Sequence, residues 1–299
     1  MIRPVNFGFN EQTAESNAFQ NRSDDQRKVQ DKALQEFNNF VEILRQNGVN
    51  VTVIDDMAEP HTPDSIFPNN WVSFHDDGNV ILYPMHAENR RLERREDIIS
   101  QLEDCFTVKH VVDLSRFEHD NKFLEGTGSM VLDRENNIAY ACLSPRTDKE
   151  VLDLFCKQEG YKEVSFYAFD KTGLPIYHTN VLMCIGSKFA VICLDSITDN
   201  NEKNEVVTLL KLTHKEIITI SYAQMNRFAG NMLEVKNSEG ETLIVMSQNA
   251  YKSLKPLQKN ALKKYGKLVY ADINTIEENG GGSARCMMAE VHLPSIHSR

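Results

Sequence analysis

The sequence predicts an α/β fold in which five related modules close into a ring, and three observations predict it. First, five segments repeat one order: a small or amide residue, a short apolar run, a polar turn and usually a second apolar run. Second, their leading residues, Asn70, Ser129, Asn180, Asn231 and Cys286, follow one another at intervals of 59, 51, 51 and 55 positions. Third, amphipathic helical patterns stand between these segments, and many of them lead into another apolar run. One such module cannot bury its apolar faces alone, whereas a ring lets each cover the next.

The elements follow in order. Residues Asp24 to Gly48 read as an amphipathic helix with Val29, Ala33, Phe37, Val41 and Leu44 in register, and Val49 to Ile54 as the strand after it. The first hairpin is 70–74 with 80–84, followed by a strand over 108–114. The second is 129–132 with 138–143, then a helix from Asp148 to the stop at Gly160 and a strand over 164–169. The third is 180–184 with 189–194, then a strand over 217–220. The fourth is 231–235 with 242–246, then a helix over 251–266 whose start Pro256 limits, and a strand over 268–271. The fifth inner strand is 286–292.

Composition bounds the function. The 299 residues suffice for one large domain or two of ordinary size, and ring closure favours a single catalytic domain over 1–299. A formal charge of −10 argues against a nucleic-acid partner, because the one arginine cluster, Arg90 to Arg95, is interleaved with glutamates. No apolar run approaches the roughly 20 residues that span a bilayer, and Met1 to Pro4 lack the apolar core of a signal peptide, so the expected location is the cytoplasm. The six cysteines show neither C-x-x-C nor zinc-ligand spacing and read as reduced thiols. No metal or cofactor is expected. A small amino-acid substrate is the expected partner, and the sequence leaves a homo-oligomer open.

Five cysteines sit in apolar or amphipathic surroundings, where packing accounts for them. Cys286 alone follows a flexible run, Gly280-Gly281-Gly282-Ser283-Ala284-Arg285, a setting suited to a thiolate nucleophile. Fivefold repetition would bring the leaders to one mouth of the ring. There Cys286 would meet His178, which favours the thiolate and shuttles protons, and Glu125, able to bind an N–H-rich planar group or orient water. Asn69, Asn70, Asn180 and Asn231 would line the same mouth.

These residues carry a resemblance. The segments Pro63-Asp64-Ser65-Ile66-Phe67-Pro68-Asn69-Asn70, Arg90-Arg91-Leu92-Glu93, Leu124-Glu125-Gly126-Thr127-Gly128, Ser144-Pro145-Arg146-Thr147 and Tyr177-His178-Thr179-Asn180, with the loop into Cys286, resemble motifs of the guanidino-group-modifying enzymes of the pentein α/β-propeller fold. The resemblance implies Cys286 as nucleophile, His178 as general acid and base, and Glu125 as a substrate-orienting carboxylate. It offers Phe67, Asn69, Asn70, Asn180 and Asn231 as substrate contacts. Arg146, with Arg90 or Arg91, becomes a candidate for a substrate α-carboxylate, since a guanidinium fork binds carboxylates bidentately. For Arg90 and Arg91 a solvated helix face competes evenly, and for Asp64 a turn-forming role after Pro63 competes with ligand binding.

Four positions depart from the family pattern. Asn69-Asn70 stand where Glu-Asp is usual, Gly128 and Asn180 where Asp is usual. A guanidinium only donates, so amides serve it poorly, whereas a ureido carbonyl can accept from an amide N–H. The expected reaction is therefore hydrolysis of citrulline to ornithine, ammonia and carbon dioxide through a cysteine adduct. The alternatives are an arginine deiminase, dimethylarginine hydrolase or amidinotransferase, and, from another class, a non-catalytic pentein binding module.

Overall fold

A computed structural model describes residues 1–14, 17, 19–22 and 26–296. Its fold is mixed α/β and repeats one unit four times: an antiparallel hairpin, a helical crossover and a third strand parallel to the second. The sheets are β3 (Val72–Phe74), β4 (Asn79–Leu82), β5 (His110–Asp113); β6 (Val131–Asp133), β7 (Ile138–Cys142), β8 (Lys162–Phe166); β9 (Met183–Ile185), β10 (Phe189–Ile192), β11 (Glu216–Thr219); and β12 (Leu233–Lys236), β13 (Thr242–Ser247), β14 (Lys267–Ala271). A parallel pair, β1 (Ile2–Arg3) and β2 (Ile54–Asp55), flanks a fifth crossover.

The crossovers contain α1 (Gln26–Gln46), α2 (Glu96–Glu103), α3 (Lys149–Glu159), α4 (Asn200–Leu212) and α5 (Pro256–Lys263). The expected start of the first helix, Asp24, lies outside the described residues. Asp148 and Asp199 cap α3 and α4 by accepting two backbone N–H bonds each, and Gly160 ends α3 with φ +72°. The single helix expected over 251–266 is two, Gln248–Ser253 and α5, because Pro256 opens the second at its first turn. The middle strands β7 and β10 are wholly buried, as strands covered on both faces should be.

Two expectations change. Three of the leading residues, Asn70, Ser129 and Asn180, do not open strands but sit on short helical turns ahead of them: Pro68–Asn70, Gly126–Ser129 and Thr179–Leu182. The turn 126–129 touches both of the others, so the leaders do converge. The segment 286–292 is not a strand. After the glycines the chain makes a helical turn in which Cys286 N–H donates to the Ser283 carbonyl (2.9 Å). Residues Ala289, Val291 and Leu293 nevertheless pack with Ile2, Ile54 and Trp71, so both ends of the sequence share one apolar cluster. Phe37, Phe40 and Leu44 of α1 form another with Val245, Val269 and Ile276, which braces the sheet before the nucleophile loop. Among the described residues no helix is long and apolar enough to cross a membrane.

Candidate active site

Cys286 is 6% exposed and lies on the turn Ala284–Met287. Two amide N–H donors point at its sulfur: Asn231 Nδ2 at 3.3 Å and Asn180 Nδ2 at 3.5 Å. Both amides are oriented by other bonds. Asn231 Oδ1 accepts from Arg285 N–H (2.9 Å) while its Nδ2 also donates to the Asn180 carbonyl (2.9 Å). Asn180 Nδ2 also donates to the Thr127 carbonyl (3.2 Å). Such donors solvate an anionic sulfur. Asn180 and Asn231, expected to touch substrate, direct their amide N–H groups at the cysteine sulfur.

His178 Nε2 stands 2.7 Å from Glu125 Oε2, both fully enclosed. A carboxylate only accepts, so Nε2 carries the proton and Nδ1 keeps its lone pair. Burial draws the imidazole pKa down to about 4, and the bond and charge of Glu125 oppose that only in part. For Glu125 burial pushes upward, but Arg146, His178 and Arg90 outweigh it and hold the carboxyl well below the usual range. Its other oxygen accepts from His86 N–H (3.0 Å).

Arg90 is 2% exposed, so it does not lie on a solvated face. Glu93 grips it bidentately through Nε and Nη2 (2.9 Å each), and Nη1 donates to Asn70 Oδ1 (2.8 Å). That leaves the guanidinium committed to Glu93 and Asn70 rather than to a substrate carboxylate. Arg91, offered for the same role, turns away: it contacts Glu118, the Met85 carbonyl and the Phe123 ring. Arg146 stays at the centre, 3.6 Å from Glu125, over the Tyr177 ring and donating to the Thr13 carbonyl (3.0 Å). Asp64 is also central rather than a simple turn former; its Oδ2 accepts from Asn10 (2.7 Å), and its buried Oδ1 has no hydrogen-bond partner. Asn69 faces sideways onto Thr127 Oγ1 (3.3 Å).

With its Oδ1 held by Arg90, Asn70 turns Nδ2 inward, buried and without a hydrogen-bond partner. Gly128 makes room for it: a Cβ there would lie 2.3 Å from Asn70 Nδ2 and 2.8 Å from His178 Nδ1. The Phe67 ring packs under the loop, close enough that a Cβ at Gly280 or Gly282 would meet it at 2.8 Å. Asp64, Asn70, Arg146, His178 and Cys286 line one cavity of about 20 Å³, no more than a water's room. Residues of the N-terminal segment, Asn10, Thr13 and Asn17, close it; together with Glu93, Thr127 and Tyr177 they were not singled out from the sequence. Tyr177 had a signal, as the residue before His178, but the polar N-terminal run had none.

A profile of the family described as N,N-dimethylarginine dimethylhydrolase, eukaryotic, matches residues 3–293. No curated protein matches the sequence. Among solved structures, the substrate-bound N-terminal domain of ArgZ, an arginine dihydrolase from the ornithine–ammonia cycle in cyanobacteria, superposes with a TM-score of 0.76 at 18% identity, over 98% of this chain and 97% of that one. AgrE with L-arginine gives 0.77 at 18% identity, over 100% of this chain and 40% of that one. A dimethylarginine dimethylaminohydrolase adduct gives 0.60 at 15% identity, over 86% and 90%. This chain thus spans about two fifths of full-length ArgZ and AgrE. At such identities these likenesses speak to the fold, whereas the profile covers nearly every residue. The chain belongs to the N,N-dimethylarginine dimethylhydrolase family, hydrolases of non-peptide C–N bonds within the guanidino-group-modifying pentein superfamily.

Proposed function

We propose that this chain hydrolyses the ureido group of citrulline, giving ornithine, ammonia and carbon dioxide through a covalent Cys286 adduct. The observation that carries the substrate is the inward Nδ2 of Asn70, a buried donor whose orientation Arg90 enforces. A guanidinium would meet it donor to donor, but a ureido carbonyl accepts from it. Gly128 supports the same reading, since it places no accepting side chain there.

The reaction follows from the geometry. His178 Nδ1 takes the thiol proton, and the sulfur attacks the ureido carbon while the Asn180 and Asn231 amides offset its charge. Glu125 supports the imidazolium that forms. His178 then protonates the departing nitrogen, ammonia leaves, and an S-thiocarbamate remains on Cys286. Nδ1 next takes a proton from water, the hydroxide attacks, and the sulfur leaves. The released carbamate loses carbon dioxide to give ornithine. Arg146 is the cation for the α-carboxylate and Asp64 Oδ1 the acceptor for the α-ammonium, reached when the segment carrying Thr13 withdraws from the cavity.

A second reading has a specific basis. The neighbouring arginine dihydrolases were solved with L-arginine and with ornithine. On that reading arginine enters, one C–N hydrolysis gives the ureido compound, and a second gives ornithine on the same cysteine. Incubation with citrulline, arginine and dimethylarginine, with citrulline, ornithine and ammonia measured, separates the two. Full turnover by Cys286→Ala would sink both.

We also infer that the repeated units close as a five-bladed α/β-propeller forming one catalytic domain over 1–299. The contacts of β9 with β6 and β12, and the cluster shared by both ends of the sequence, support closure. Six free cysteines suit the reducing cytoplasm.

A further inference from the structure

The glycine loop that delivers Cys286 is gripped from behind by a carboxylate the reaction does not use. Glu277 belongs to a short helix, α6 (Asn274–Gly280), and is 2% exposed. Its Oε1 accepts from Ser283 Oγ (2.5 Å) and its Oε2 from Asn249 Nδ2 (2.6 Å). Ser283 in turn begins the nucleophile's turn, its carbonyl accepting from Cys286 N–H (2.9 Å) and Met287 N–H (3.3 Å). Between the two, Gly281 takes φ +66° and its carbonyl accepts from Tyr177 O–H (2.7 Å). The three glycines leave the loop without side chains of its own to hold it, so Ser283 is the first residue past them that a side chain can anchor.

We propose that Glu277 is a positioning residue for the nucleophile, fixing Ser283 and, through it, the turn that presents the Cys286 sulfur to the Asn180 and Asn231 amides. The donors around it call for the carboxylate form. A proton on either oxygen would turn an acceptor toward Ser283 or Asn249 into a competing donor. Burial pushes the Glu277 carboxyl up to about 7; the Ser247, Ser283 and Asn249 bonds pull it back, and Glu36 of α1 pushes it further up. Glu277 also lines an open cleft of about 680 Å³, so protons can reach it from solvent; Glu278, Asp170 and Arg227 line the same cleft. The grip therefore weakens as the pH falls through about 7.

This inference rests on Cys286 being the nucleophile, and its test separates the two. Alkylation of Cys286 by a haloacetamidine reports on sulfur placement whatever the substrate is. Glu277→Gln and Ser283→Ala should each slow both alkylation and kcat about tenfold while KM changes less than about twofold, the split expected of a misplaced nucleophile. The double variant should be no worse than either single one, and Glu277→Gln should lose the acidic limb near 7. Glu278→Gln, exposed on the same helix, should match the parent. Parent-like alkylation and turnover in Ser283→Ala, or additive losses in the double variant, would overturn the role of Glu277. If Glu277→Gln does not fold, Ser283→Ala still decides. Full turnover by Cys286→Ala would instead remove the reading beneath it.

Discussion

Replacing Asn70 by Asp changes one atom pointing into the cavity. The oxygen bound to Arg90 Nη1 at 2.8 Å is retained, and the inward Nδ2 becomes a second carboxylate oxygen. For a ureido substrate this removes a donor, about 1–1.5 kcal/mol, and leaves the facing carbonyl oxygen unsatisfied, about 1–3 kcal/mol more. The sum, about 2–4.5 kcal/mol, predicts a fall of about 30- to 2000-fold in kcat/KM for citrulline. For a guanidinium the new oxygen adds a charge-assisted bond of about 1.5–3 kcal/mol, so kcat/KM for arginine should rise or hold. The ratio of the two should move at least about thirtyfold toward arginine. Asn70→Ala is the control: it removes the same donor without adding charge, so it should cost citrulline about as much as Asn70→Asp while giving arginine no gain. Initial rates of ornithine and citrulline formation from each substrate give the ratio. A shift of less than about fivefold in Asn70→Asp, or one toward citrulline, would refute the hydrogen-bond argument for a ureido substrate.

Three further outcomes are expected. Gly128→Ala drives a methyl to 2.3 Å from Asn70 Nδ2 and 2.8 Å from His178 Nδ1, so kcat should drop by at least about tenfold; activity close to that of the parent would show that the niche yields. His178 is neutral above about 4, because burial lowers it from 6.5; its folded pKa lies below its unfolded one, so the stability tied to it is present above 6.5 and lost as pH falls toward 4. Thermal melts across that range should show a shallower acid loss in His178→Asn, and identical slopes would contradict the assignment. Phe37→Ala, in the fully buried face of α1, should destabilise the fold by about 3–5 kcal/mol in urea titrations, and a loss below about 1 kcal/mol would mean that α1 does not brace the core as described.

The repeat was legible because middle strands covered on both faces, such as Ile138–Cys142 and Phe189–Ile192, must be continuous apolar runs, and helices between them must alternate at another period. The leaders' convergence was legible for the same reason. Their helical turns were not, since three or four residues are too few to show any period. Which way each asparagine faces was beyond the sequence as well. Asn70 is turned by Arg90, 20 positions away, and Asn231 by a backbone N–H 54 positions away, and neither pairing leaves a local mark. Arg90 and Arg91 look alike in sequence, yet one is clamped by Glu93 inside the site and the other is drawn to Glu118. Only the packing of the turn 88–91 against its neighbours separates them.

The two amides on the sulfur come from residues 55 and 106 positions before it. Contacts of such long sequence separation form late in folding, after hairpins and helices whose partners are near. In refolding from denaturant, the circular dichroism signal should therefore return ahead of catalytic competence, and Cys286 should pass through a period as an ordinary exposed thiol. A thiol reagent present in that interval reaches a cysteine that the finished molecule keeps 94% covered, which makes its labelling rate a clock for the last docking step.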